Sequence, residues 1–313
     1  MSTKQIKSRM GVSEWMMMIG LSVLWGSSFF FVELAIVEWP PLLIVALRVS
    51  LGAAVLWAIV LLAGWTVPGS PSAWGAFLVL GLTNNVVPFL LITWGQETVA
   101  SGLAAILNAS APIFTVIIAG VFLRDERMTA SKFLGVVLGL AGVAILVGPE
   151  AMDGGQASLL ASLAIVGAAL SYAVAGVYAR RLPAMGLNPI VASAGQLLMS
   201  SLIMLVLVLA FEDLSVTAST SAEVWAAVVA LAVLSTSFAY ILYFKLIASA
   251  GATNASLVTL LIPVTAILLG WLFLGERLGS TQLAGMAVIA LGLLVIDGRL
   301  FAWLERKKAR PVG

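Results

Sequence analysis

The sequence contains neither cysteine nor histidine, and charged side chains make up only 10% of its 313 residues. Without cysteine there is no disulfide, thiolate metal ligand or thiol nucleophile. Without histidine the Ser-His-Asp arrangement and the common zinc sites are lost as well. Most enzymatic readings lose their chemistry here, and neither a metal nor another cofactor is expected. A run of the form G-x-x-x-x-G-K-[ST] is also missing, which argues against ATP hydrolysis within the chain. The scarcity of charge excludes a water-soluble domain, whose surface must be largely polar.

What fills the chain instead is apolar: 62% of residues are hydrophobic and mean hydropathy is +1.13. The bilayer is therefore the expected solvent and lipid the first partner. Inside it each backbone N–H and C=O must be satisfied within the chain, so unbroken apolar runs of about 20 residues read as helices. Membrane strands would alternate in polarity, and these runs do not. Proline, glycine and charge divide the sequence into apolar segments near 15–34, 40–63, 73–94, 98–123, 129–148, 157–180, 187–210, 223–248, 252–274 and 279–297. The basic start, Lys4, Lys7 and Arg9, resembles that of a signal peptide. Its apolar run continues to Val32 without a small-residue cleavage pattern, so it reads as a retained first helix.

Orientation follows from lysine and arginine, which accumulate in cytoplasmic loops. With the N-terminus inside, Lys4, Lys7, Arg9, Arg124, Arg127, Lys132, Arg180, Arg181, Arg299, Arg306, Lys307, Lys308 and Arg310 fall at inner edges, and only Arg277 falls outside. Acidic residues such as Glu38, Glu97, Glu212 and Glu276 collect at the outer edges. The prediction is ten spans in a bacterial inner membrane with both termini cytoplasmic. The net charge of +2 then reports orientation and not a nucleic-acid partner.

Pro112, Phe122 and Leu123 match Pro263, Phe273 and Leu274 at a constant offset; after a one-residue slip, Glu126, Arg127, Gly135 and Gly142 match Glu276, Arg277, Gly285 and Gly292. Earlier in each half, Pro41 with Arg48 corresponds to Pro189 with Gln196. The unit is five helices occurring twice. Residues 1–150 are assigned to the first copy, 157–300 to the second and 301–313 to a basic cytoplasmic tail. Because five is odd, the second copy enters the membrane from the opposite side. The expected fold is all-α, with two inverted five-helix repeats around a shared central site that opens alternately to each side.

Trp25-Gly26-Ser27-Ser28, Pro41 with Arg48, and the doubled endings PIFTVIIAGVFLRDERMT and PVTAILLGWLFLGERL, each followed by a glycine-rich helix, carry a resemblance to the drug/metabolite transporter superfamily. Over nearly the whole chain the sequence is similar to its EamA-type ten-span branch. The resemblance implies a basket-like bundle with a mid-membrane substrate cavity between the repeats, and export of amino acids or related small amphiphilic metabolites. One departure is plain: small four-helix relatives carry a carboxylate in the middle of the first helix, whereas here Glu14 and Glu33 stand at its ends.

Arg48 lies about 12 Å below the outer edge of the second span at 1.5 Å per residue. A guanidinium at that depth needs protein or water around it and a partner, and Glu33 at the outer end of the first helix is within reach. It reads either as a carboxylate-binding or gating arginine or as a tether between two helices. Asn84, Asn85 and Asn108 stand mid-span, where they bind substrate or bridge helices. Tyr172, Gln196, Ser237 and Tyr240 offer aromatic walls with a few polar groups, suited to an apolar or aromatic metabolite, or else a packing face. Trp25 and Ser28 line the cavity or, for Trp25, anchor the interface. Pro88, Pro112 and Pro263 each remove a helical hydrogen bond and make hinges or static kinks, with Glu33 as a gating candidate. Gly135 and Gly139 form a GxxxG spacing for close packing or dimerisation, so a monomer or weak homodimer is expected.

Together these readings give a secondary exporter of a small-molecule substrate. A nucleotide-sugar or organophosphate exchanger would demand more deep cations than Arg48 alone. A non-transporting scaffold or sensor remains from a different class, whereas an enzyme would need convergent acid and base groups that the spans lack.

Overall fold

The computed structural model describes residues 11–123, 129–152, 155–251 and 255–297. Lys4, Lys7, Arg9, Arg124, Glu126, Arg127 and the basic tail with Arg299 lie outside the described residues. Among the described residues there is no strand. The chain forms α1 (Val12–Ala35), α2 (Pro41–Leu62), α3 (Pro71–Gln96), α4 (Ser101–Phe122), α5 (Ala130–Met152), α6 (Gly155–Ala179), α7 (Pro189–Phe211), α8 (Ala222–Ala250), α9 (Val258–Leu274) and α10 (Ser280–Asp297). Eight of these, α1 to α8, are long and apolar enough to cross a membrane, and α9 and α10 are shorter apolar helices.

The helices start where local chemistry dictates. Pro41, Pro71 and Pro189 occupy first-turn positions, where a missing N–H costs nothing. Ser70 and Ser221 accept from Ala73 N and Val224 N, and Asn188 accepts from Ile190 N, so orphan donors at three N-termini are satisfied. The helices are predominantly apolar, and large apolar side chains remain on the surface: Leu62 is 89% exposed, Phe122 75% and Phe211 74%. Together with eight helices of spanning length, such a surface suits lipid, so this is a membrane protein.

Helices pack across the two halves. α2 lies along α7, α1 along α9, the second part of α3 along α6, and α5 along α10. Glycines set the last crossing: Gly135 lies against Gly292 and Gly142 against Gly285, so that a Cβ on Gly135 would stand 2.6 Å from Gly292 O. These contacts run in opposite senses along the two helices, which makes α5 and α10 antiparallel. The Gly135–Gly139 face is thus filled from within the same molecule, by Gly292 on one helix and Ile113 on another.

Three helices are wound wide at one turn among the described residues: Gly81–Val86 in α3, Val233–Phe238 in α8 and Gly270–Leu274 at the end of α9. In α3 the turn precedes Pro88, whose ring displaces the carbonyl four residues back. In α8 no proline is present; Thr236 and Ser237 hydroxyls donate to Leu231 O and Ala232 O, five residues back, at 2.9 and 3.0 Å. α4 breaks at Ala109–Ser110, just ahead of Pro112. α9 runs through Pro263 without a break in its first twelve residues.

Candidate functional site

The wide turns of α3 and α8 face α7 and α2, and the polar side chains they carry meet there. Arg48 on α2 is 7% exposed and is the one buried charged residue among those described. Its Nε donates to Thr236 Oγ1 at 3.1 Å, and its guanidinium carbon lies 3.6 Å from the centroid of the Phe89 ring. The phenols of Tyr172 and Tyr240 are within electrostatic reach. Asn84 Nδ2 donates to Gln196 Oε1 at 3.2 Å and to Tyr240 Oη at 3.1 Å. Tyr240 Oη donates in turn to Asn85 Oδ1 at 3.0 Å, and Asn85 Nδ2 donates to Ser200 Oγ at 3.1 Å.

Five of the sequence-predicted residues, Arg48, Asn84, Asn85, Gln196 and Tyr240, therefore form one polar assembly drawn from α2, α3, α7 and α8, with Tyr172 of α6 beside it. Others stand apart. Ser237 is fully buried and donates to Gly52 O and Ala232 O, tying α8 to α2. Ser28 donates to Trp25 O of its own helix, and the Trp25 ring packs against Tyr243 at 5.1 Å with the planes tilted by 49°. Asn108 sits at the α4 break, its Oδ1 buried without a hydrogen-bond partner among the described residues.

The expected Arg48–Glu33 pair is corrected. Glu33 Oε2 accepts from Gln96 Nε2 at 3.0 Å, near the far end of α3, and Arg48 points instead toward α8 and Phe89. The reason is the face of α2 on which Arg48 lies, which packs on α7 and α8. Pro88 is buried behind the wide turn of α3, Pro112 follows the α4 break, and Pro263 borders a small void of about 30 Å³. A larger cavity, about 490 Å³, lies between Gly102, Trp271 and Glu276, away from the predicted binding residues. At its edge the Glu276 carboxylate accepts from Ser101 N at 2.8 Å and Gly102 N at 3.0 Å, capping α4 from the α9–α10 connection.

Phe89 and Ser200 are part of the assembly and were not singled out from sequence. Ser200 stands four residues after Gln196, hence on the same helix face, a spacing that points to it. Phe89 carries no such signal beyond its place after Pro88.

The hydrogen bonds recur in pairs. Arg48 to Thr236 is matched by Asn84 to Gln196, with Arg48 in the position of Gln196 and Thr236 in that of Asn84. Asn85 to Ser200 is matched by Ser237 to Gly52, and Ser171 to Thr83 O by the Ser27–Ser235 contact at 3.3 Å. Every pair links one half of the chain to the other.

A model of the EamA-like transporter family matches residues 13–148 and again residues 159–297. The uncharacterized transporter YoaV of Bacillus subtilis is 27% identical over 92% of this chain and 97% of its own. The uncharacterized inner membrane transporter YedA of Escherichia coli is 28% identical, covering 94% of each chain. A solved crystal structure covers 91% of this chain and 96% of its own with a TM-score of 0.65; at 21% identity that likeness is one of fold alone.

Proposed function

Because the chain belongs to the EamA-like transporter family, we propose that it is a secondary transporter exporting small metabolites, amino acids or related amphiphilic compounds, across a bacterial inner membrane. Its ten helices all span, with both termini cytoplasmic, as two inverted five-helix repeats covering 1–150 and 157–300. At 1.5 Å per residue the seventeen residues of α9, Val258–Leu274, extend about 25 Å, close to the hydrocarbon thickness of ~30 Å. The family and the names of its relatives speak for transport and not for catalysis.

The observation that carries this reading is the polar assembly of Arg48, Asn84, Asn85, Gln196 and Tyr240, buried or half-buried where the two halves meet. In an apolar bundle each of these groups costs free energy to bury, and a substrate route between the halves is the use that justifies the cost. The matched hydrogen bonds support alternating access. If each half makes the same contacts with the roles exchanged, a conformation with the halves swapped in role has a comparable energy, and the site opens to the other side. A single deep cation favours a small amphiphile over an organophosphate, which would need several.

Counterflow tests the reading. Purified protein in liposomes preloaded with unlabelled amino acids should accumulate the labelled form transiently, and protein-free liposomes should not. No substrate-dependent flux across a broad metabolite panel would reject it in favour of a scaffold or sensor.

A further inference from the structure

Arg48 is charged, buried and without an acidic partner among the described residues. Its contacts use one edge and one face of the guanidinium: Nε donates to Thr236, and the plane lies on Phe89. The terminal nitrogens Nη1 and Nη2 make no hydrogen bond among the described residues. The nearest ionisable groups, Tyr172 and Tyr240, are phenols, neutral near pH 7, and supply no counter-charge. A buried guanidinium in that condition is costly, and the group that best relieves it is a carboxylate presented to the fork of Nη1 and Nη2.

The rest of the assembly has the same bias. Gln196 Nε2 and the Tyr172 hydroxyl are further donors that make no hydrogen bond among the described residues, whereas the Tyr240 hydroxyl and the Asn85 amide are spent on each other and on Ser200. Among the described residues no carboxylate borders the assembly to receive an ammonium group. The described site therefore has a place for a negative charge and none of equal strength for a positive one.

We propose that the substrate binds through a carboxylate held by the terminal nitrogens of Arg48, that its body is apolar, and that the ammonium group of an amino acid is dispensable for binding. The proposal rests on the transporter reading and names its substrate class as monocarboxylates, amino acids being members by virtue of their acid group alone. A phosphate ester, with up to two charges, finds only one cation here.

Three ligands sharing one body separate the groups: phenylalanine, hydrocinnamate, which lacks the amine, and phenethylamine, which lacks the acid. Leucine, isocaproate and isoamylamine repeat the comparison with an aliphatic body. Thermal stabilisation of the full chain in detergent reads binding, and counterflow in liposomes reads transport. Both acids should stabilise the protein as well as their amino acids do, and neither amine should. Arg48→Gln should weaken acid binding roughly 10- to 100-fold, the range for a lost hydrogen bond to a charged group. Arg48→Lys, which keeps the charge and loses the fork, should fall between. The proposal is overturned if the amines bind as well as the acids, if no carboxylate in the set binds, or if Arg48→Gln binds acids as wild type does. Acids that bind without any flux would overturn the transporter reading and leave the carboxylate site standing. Flux indifferent to the acid group would do the reverse.

Discussion

Replacing Gly292 by alanine should destabilise the folded bundle, and the geometry sets the size of the effect. An added Cβ would stand 2.7 Å from both Gly135 O and Gly139 N and 3.0 Å from Gly139 Cα. All three are backbone atoms, so no side-chain rotation relieves the clash. Reaching ordinary contact at 3.4 Å requires α5 and α10 to part locally by roughly 0.7 Å. A gap of that order forfeits about a quarter to a half of the dispersion energy of each contact it opens. Overpacking of this kind costs about 1–3 kcal/mol. The comparison variant is Gly176→Ala in α6, where the added Cβ meets nothing within 4 Å; helix propensity alone should stabilise it by about 0.5–1 kcal/mol. Thermal denaturation in detergent should show Gly292→Ala melting well below wild type and Gly176→Ala at or slightly above it. Equal melting of the two variants would refute the backbone-contact argument. A change in oligomeric mass with unchanged melting would place the glycine face at an intermolecular contact instead.

Arg48→Ala should leave expression and membrane insertion close to wild type while cutting counterflow at least about tenfold; wild-type flux would remove Arg48 from any substrate or gating role. Asn85→Leu should destabilise by about 1–3 kcal/mol, because the buried Tyr240 and Ser200 hydroxyls both lose their Asn85 partner; unchanged melting would show that water or other groups replace it. Glu276→Ala strips two N-terminal amides of α4 of their acceptor and should cost about 0.5–2 kcal/mol, with protease nicking near residue 100 as a second readout. Glu38, outside the spans, is hydrogen-bonded by the Ser221 side chain and by Ser221 N at 2.9 Å, and those hydrogen bonds hold its carboxylate below the ordinary 4.5. Its folded pKa is the lower one, so its contribution is present above that ordinary value and fades as pH falls through the folded value. A melting curve measured against pH should show a slightly shallower acid decline in Glu38→Gln than in wild type, and identical slopes would contradict the assignment.

Apolar runs located the helices to within a few residues: 40–63 was expected where α2 spans Pro41–Leu62, and 187–210 where α7 spans Pro189–Phe211. The wide turn of α8 was harder to see. No proline marks it, and its signal is the Ser235-Thr236-Ser237 run, in which the Thr236 and Ser237 hydroxyls take carbonyls five residues back. Among the site residues, Gln196 was found through its correspondence with Arg48, and Asn84 and Asn85 through their depth in an apolar helix. Ser28, Asn108 and Ser237 looked equivalent to these in sequence, yet Ser28 and Ser237 turned to local or structural contacts, and the buried Asn108 Oδ1 found no hydrogen-bond partner among the described residues.

The division has a physical origin. A bilayer obliges each backbone segment to satisfy its own hydrogen bonds, so length, hydropathy and the duplicated pattern of prolines and glycines are local quantities, written in the sequence and legible there. Which partner a buried polar group finds is decided between helices far apart in the chain. Arg48 meets Thr236 across 188 residues, and Asn84 meets Gln196 across 112. Glu33 is only fifteen residues from Arg48, but it lies on another face of the bundle and bonds to Gln96. That choice rests on which faces of α2, α3, α7 and α8 pack together, and only the tertiary structure decided it.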